Sequence, residues 1–217
     1  MTSLRITQLG CLVLGLAACK PAAVSDAAAP ELEIKPAIID VDPAPADGKV
    51  PVVVQFYDGG AFVQLGATSS VTCNGVALSW NGLGYAERVP IVAAGGNLTF
   101  AHVRDGVTTQ LAVAVPARPV VMSPTSGATL PRTRIELRYV AATSAGVRPS
   151  ASDGTTSVSG SEQPDSGSAM LDVSMLHPGA GTLDLARRVT STPSGTGFAS
   201  ASATYTISSA PVAVVWQ

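Results

Sequence analysis

The stretch Ala199-Ser200-Ala201-Ser202-Ala203-Thr204-Tyr205-Thr206-Ile207-Ser208 alternates without a break. Ala199, Ala201, Ala203, Tyr205 and Ile207 fall on one side; Ser200, Ser202, Thr204, Thr206 and Ser208 fall on the other. A period of two is the geometry of an extended strand with one face buried, whereas a helix would scatter these residues around its circumference. The same period recurs outward from it. Leu171, Val173 and Met175 alternate with Asp172 and Ser174, and Ile135, Leu137 and Tyr139 alternate with Arg134, Glu136 and Arg138. Val212–Trp216 reads as a last strand.

The first half follows the same rule and adds turn chemistry. Asn74-Gly75 joins Val71-Thr72-Cys73 to Val76-Ala77-Leu78. Asn-Gly is a strong hairpin signal because both turn positions need positive φ. A two-residue loop pairs Cys73 with Val76, Val71 with Leu78 and Ser69 with Trp80, placing Val71, Cys73, Val76, Leu78 and Trp80 on one apolar face. Asp105-Gly106 predicts a second hairpin pairing Arg104 with Val107, His102 with Thr109, Phe100 with Leu111 and Leu98 with Val113. Segments 52–57, 62–65 and 85–92 complete about six or seven short strands before Pro116, a spacing that argues for a sandwich. Between 141 and 169 the pattern fades into Ser, Gly, Thr and Pro, and a long loop is expected there, with an irregular strand around 155–158.

Two resemblances refine this outline. Val120-Val121-Met122-Ser123-Pro124-Thr125-Ser126-Gly127-Ala128 resembles the opening of Ig-like and fibronectin-type-III-like modules, where an edge strand runs into a Ser/Pro/Gly turn. Leu16-Ala17-Ala18-Cys19, at the end of the apolar run 9–18 and behind Arg5, resembles the lipobox of bacterial lipoproteins. That resemblance implies removal of residues 1–18, lipid on Cys19 and, with Lys20 rather than Asp after it, transfer to an outer membrane where the organism has one. The run is half the roughly twenty residues that a membrane span requires. The alternatives are an ordinary secretory leader with an incidental cysteine, or a buried helix of a cytosolic fold.

Without residues 1–18 the chain carries twelve basic residues against fifteen acidic, a net of −3, which gives no footprint for nucleic acid. Cys11 would be lost with the leader and Cys19 acylated, so Cys73 would have no partner for a disulfide or a zinc site, and it falls on an apolar face. Residues 19–48, broken by Pro21, Pro30, Pro36, Pro43 and Pro45, predict an extended tether reaching about 90 Å at roughly 3.1 Å per residue. Asp40, Asp42 and Asp47 lack the alternating spacing of a calcium loop.

Chemistry-bearing residues are sparse. A serine nucleophile needs a base, yet only His102 and His177 exist and no Gly-x-Ser-x-Gly elbow occurs. His102 is expected at a hairpin rim touching solvent, and His177, before Pro178-Gly179, in a turn. Two lone histidines make no recognisable zinc set. Glu87, Glu136 and Glu162 carry no context for a carboxylate pair, and Gly82-x-Gly84 is turn punctuation. Trp80 and Tyr85, with Asn81 between them, form the one candidate ligand-binding pair, since aromatic platforms stack sugars; the hairpin register instead sends Trp80 inward.

The sequence therefore predicts an all-β chain: a signal peptide over 1–18, a disordered tether over 19–48, and two tandem Ig-like β-sandwich domains over 49–116 and 117–217. The expected role is a non-catalytic binding or structural module, anchored through lipid on Cys19 in a bacterial envelope. It meets an envelope protein or glycan, and needs no cofactor or metal. The alternatives are a carbohydrate-binding module using Trp80 and Tyr85, or an envelope hydrolase with an unrecognised carboxylate site.

Overall fold

In the computed structural model, which describes residues 22–142, 146–195 and 197–217, the alternating stretch becomes a strand over Ala203–Ser208 with Ala203, Tyr205 and Ile207 buried. The described chain is built of strands, with a single short 3-10 turn at Ala29–Glu31. In chain order the strands of the first part are β1 (Ala23–Ser25), β2 (Leu32–Asp40), β3 (Lys49–Asp58), β4 (Ala61–Leu65), β5 (Ser69–Cys73), β6 (Val76–Ala77), β7 (Ser79–Trp80), β8 (Tyr85–Pro90), β9 (Asn97–Arg104) and β10 (Val107–Ala114). The second part adds β11 (Val121–Ser123), β12 (Ala128–Leu130), β13 (Arg134–Tyr139), β14 (Gly146–Ser152), β15 (Ser157–Ser159), β16 (Ser168–Asp172), β17 (Gly179–Ser191), β18 (Ser200–Ala201), β19 (Ala203–Ser208) and β20 (Val212–Trp216).

These strands make two sandwiches. In the first, the layer β1-β4-β3-β2-β19, with β7 and β8 beside β3, faces the sheet β10-β9-β5-β6. Phe56, Val52 and Ile34 from one layer meet Phe100, Leu98, Val71 and Cys73 from the other in a single apolar core. In the second, β11-β13-β16 faces β14, β17 and β20 over Leu137, Leu171, Leu183 and Trp216. Gly181 on β17 is required by this packing, because a Cβ there would lie 2.0 Å from the Trp216 indole nitrogen.

Both predicted hairpins form in the predicted register near their turns. Asn74 and Gly75 have φ of 48° and 80°, and Asp105 and Gly106 have 50° and 78°. The β9–β10 ladder pairs Arg104 with Val107 and Leu98 with Val113. The first hairpin departs from expectation beyond Leu78. A second tight turn, with Asn81 N–H bonded to the Gly84 carbonyl at 3.0 Å and Leu83 N–H to Asn81 Oδ1 at 2.9 Å, captures Trp80 opposite Tyr85 rather than Ser69. The chain thereby crosses from one layer to the other.

Two expectations are corrected. Residues 23–40 are not tether: β2 pairs with β3 through seven residues, and Leu32, Ile34 and Ile38 are buried in the first core. Pro36 continues the buried series of its neighbours and, lacking a backbone donor, stands between the stretch of β2 paired with β18 (33–34) and that paired with β19 (37–40). The region 141–169 likewise contains β14, whose inward positions Val147, Pro149 and Ala151 include only one residue that hydropathy reads as strand. Cys19 and the leader lie outside the described residues.

The sandwiches are not successive beads. β17 pairs along one edge with β20 through residues 179–183 and with β19 through residues 186–191. β19 then pairs in parallel with β2 of the first sandwich, so one sheet runs through both halves.

Candidate functional site

The predicted aromatic pair does not present a platform. Tyr85 is 8% exposed, and its hydroxyl accepts the Leu65 N–H at 3.0 Å while burial raises its pKa. Trp80 is half-buried against the first core, with Phe62 stacked on it at 5.5 Å and Tyr85 tilted at 5.3 Å. Its rings fill the gap where β4 and β8 share one edge of β3, the first covering residues 56–58 and the second residues 49–54. Packing uses the ring surface that a sugar would need.

The remaining candidates scatter. Cys73 is fully buried, and desolvation pushes its thiol up to about 12. His102, expected at the rim, is instead 2% exposed between Phe56 and Phe198, because its position on β9 continues the inward series Leu98 and Phe100. His177 is exposed and turns its Nδ1 to Asp153 at 2.8 Å. Asp153 also accepts from the N–H groups of His177, Thr155 and Thr156, which hold its carboxyl far below the usual range and fasten two loops together. Glu87 bonds the adjacent backbone, Glu136 pairs with Arg138 and Glu162 with Arg188, each at a different place on the surface. Among the described residues the carboxyls with shifted pKa, Asp47, Asp153 and Asp172, are all lowered, the opposite of a poised general acid.

What the structure does concentrate is the junction between the sandwiches. Asp40 ends β2, and Ser208 ends β19. Arg118, in the connection between the halves, donates Nη2 to Asp40 Oδ1 and Nη1 to the Ser208 carbonyl at 2.8 Å. Nη2 also reaches the Asp42 carbonyl at 3.2 Å. Asp40 lies beside the Tyr205 phenol, whose pKa rises through burial first and this carboxylate second. A second buried pair, Arg187 with Asp165 at 2.8 Å, stands where β17 passes from one sandwich to the other, and Arg187 also donates to the Val140 carbonyl.

An arm of the second sandwich completes the first. Ser194 and Ala112 exchange both backbone bonds, at 2.7 and 3.0 Å. Gly195 lies so close to β10 that a Cβ would stand 2.5 Å from the Gln110 carbonyl oxygen. Phe198 reaches Phe56 at 6.4 Å, and Ala203, Tyr205 and Ile207 belong to the first core. Sequence reading found the alternation of 199–208 and missed its destination. The one available signal was Arg118 between two prolines, a lone cation in an apolar connection.

No protein-family model matches the chain, and no curated protein matches it by sequence. Solved structures similar in shape include the FN1-FN3 domains of chicken CNTN1, at 12% identity over 88% of this chain and 69% of that one, with a TM-score of 0.30. The BSP domain of a biofilm associated protein is 15% identical over 80% of this chain and 29% of that one, with a TM-score of 0.26. Fibronectin(III)-like modules of Clostridium thermocellum CbhA are 13% identical over 79% of this chain and 88% of theirs, with a TM-score of 0.25.

Proposed function

We propose that the chain is a non-catalytic envelope module, held to a membrane by lipid on Cys19, whose interlocked sandwiches set a partner at a fixed distance and orientation. The observation that carries the reading is the shared sheet: β2, β19 and β17 are hydrogen-bonded neighbours across the junction. Bending there would break ladder bonds and expose the buried carboxylate of Asp40, 4% exposed on its side chain. A jointed linker would need none of this, so the arrangement favours transmitting position over flexing. The lipid anchor rests on Leu16-Ala17-Ala18-Cys19.

Two measurements test the two parts separately. Spin labels at Leu83→Cys and Met175→Cys, both exposed and on opposite halves, are expected to give one narrow distance distribution. A broad distribution overturns the spacer reading. Cys19→Ala is expected to move the protein from the membrane to the soluble fraction, and an unchanged membrane fraction overturns the anchor.

A further inference from the structure

Beneath the tip of the β9–β10 hairpin lies a cleft of about 340 Å³. One wall is the strap Ala29-Pro30 leading into β2, and the other is Val107 and Thr109 on β10. His102 and Arg104 line it from β9. Neither side chain is satisfied: His102 Nε2 and Arg104 Nη1 are buried without a hydrogen-bond partner. Native structures leave few such atoms, and each one invites an explanation.

The geometry points to a small carboxylate with a short apolar body as the occupant, a binding site additional to the spacing role and independent of it. Arg104 carries only donors, in a fork that matches a carboxylate, so its free arm selects an anion and repels a cation. The guanidinium is held at its stem by one bond, Arg104 Nε to Asp105 Oδ2 at 3.3 Å, with Asp105 exposed. His102 offers the second nitrogen from a floor of aromatic rings, 5.7 Å from Phe56 and 6.3 Å from Phe198. Ala29, Pro30 and Val107 supply the apolar wall, the usual pairing of a mostly apolar pocket with a few aimed polar groups. A phosphate dianion fits less well, because one arginine faces it while Asp105 and Glu31 stand nearby at the hairpin tip and the strap. A neutral sugar would leave the charge of Arg104 without a counterpart in the cleft.

The test uses the full chain in detergent, labelled with ¹⁵N in histidine and arginine side chains. Isobutyrate is the probe, and isobutyramide, of the same shape without the charge, is the control. Isobutyrate is expected to shift the His102 ring and Arg104 guanidinium signals saturably, with a dissociation constant of about 1–10 mM for so small a ligand. The exposed His177 serves as an internal reference that stays still. Arg104→Gln is expected to weaken binding roughly 10- to 100-fold, the loss of one charge-assisted bond. Arg104→Lys, which keeps charge but not the fork, should lose less. Equal shifts with isobutyramide, unchanged affinity in Arg104→Gln, or no saturation with isobutyrate would each overturn the site. Because Arg104 is 24% exposed and outside the first core, its variants fold even where a His102 variant does not.

Discussion

Cutting the chain after residue 119 removes the whole second sandwich while leaving β1 to β10 and Arg118 in place. If the sandwiches were independent, the fragment 22–119 would fold by itself. The structure predicts that it does not. The cut strips Tyr205 and Ile207, both nearly fully buried, and the half-buried Phe198 from the first core. Burying a large apolar side chain is worth about 1.5–3 kcal/mol, so the loss comes to about 4–8 kcal/mol with Phe198 counted at half. Small domains are stable by about 5–15 kcal/mol in total, and one of this size sits toward the lower end. The cut also bares the edge of β2 along residues 37–40, an invitation to aggregation. The assay is urea unfolding followed by far-UV circular dichroism, with an amide correlation spectrum of the fragment. The expected result is no cooperative transition and poor dispersion, with both restored in part by a peptide spanning 192–210. A fragment that unfolds cooperatively at the same urea concentration as the intact protein would refute the shared core.

Other consequences can be checked on the intact chain. Ile207→Ala should cost about 2–5 kcal/mol. It should shift both tryptophan reporters together, Trp80 in the first sandwich and Trp216 in the second; two separate melts would contradict the continuous sheet. Arg118→Met should destabilise by about 3–5 kcal/mol, because the buried Asp40 carboxylate loses its cation, and adding Asp40→Asn should recover much of that; additive losses in a thermal melt would contradict the pairing. Asp47 is lowered from 3.8 to about 2 chiefly by its bond to Arg88, so its contribution is full above pH 3.8 and fades toward pH 2, and Asp47→Asn should flatten acid unfolding in that window. Cys73, with its thiol pushed up to about 12, should resist a disulfide reagent at pH 8 until the chain is unfolded.

The all-β class and both hairpins were legible because turn chemistry and alternation are local. Asn74-Gly75 and Asp105-Gly106 dictate positive φ by themselves, and Leu98, Phe100, Leu111 and Val113 declare their face within a few residues. Pairing partners far apart in sequence leave no such mark. Nothing in Leu32–Asp40 says that it lies beside Ala203–Ser208, and its proline and acidic neighbours suggest solvated chain instead. Strand β14 hides for another reason: Ala151 and Pro149 pack inward without the bulk that hydropathy registers. Proximity to a turn suggests a rim position for His102, whereas the inward series Leu98 and Phe100 on its own strand points to the burial it has. The hairpin register that sends Trp80 inward holds as far as Leu78 and fails beyond it, and packing keeps Trp80 half-buried all the same.

The parallel ladder between β2 and β19 also sets an order of events. β2 is the second of the described strands to be synthesised and β19 the last but one, so the first sandwich cannot close until residues 203–208 have been made. Long-range closure of this kind slows folding. Until then the first half can form its local pairings, β2 with β3 and β9 with β10, without the residues that complete its core. Arrival of residues 203–208 commits both halves together, because β19 pairs with β17 on one side and with β2 on the other.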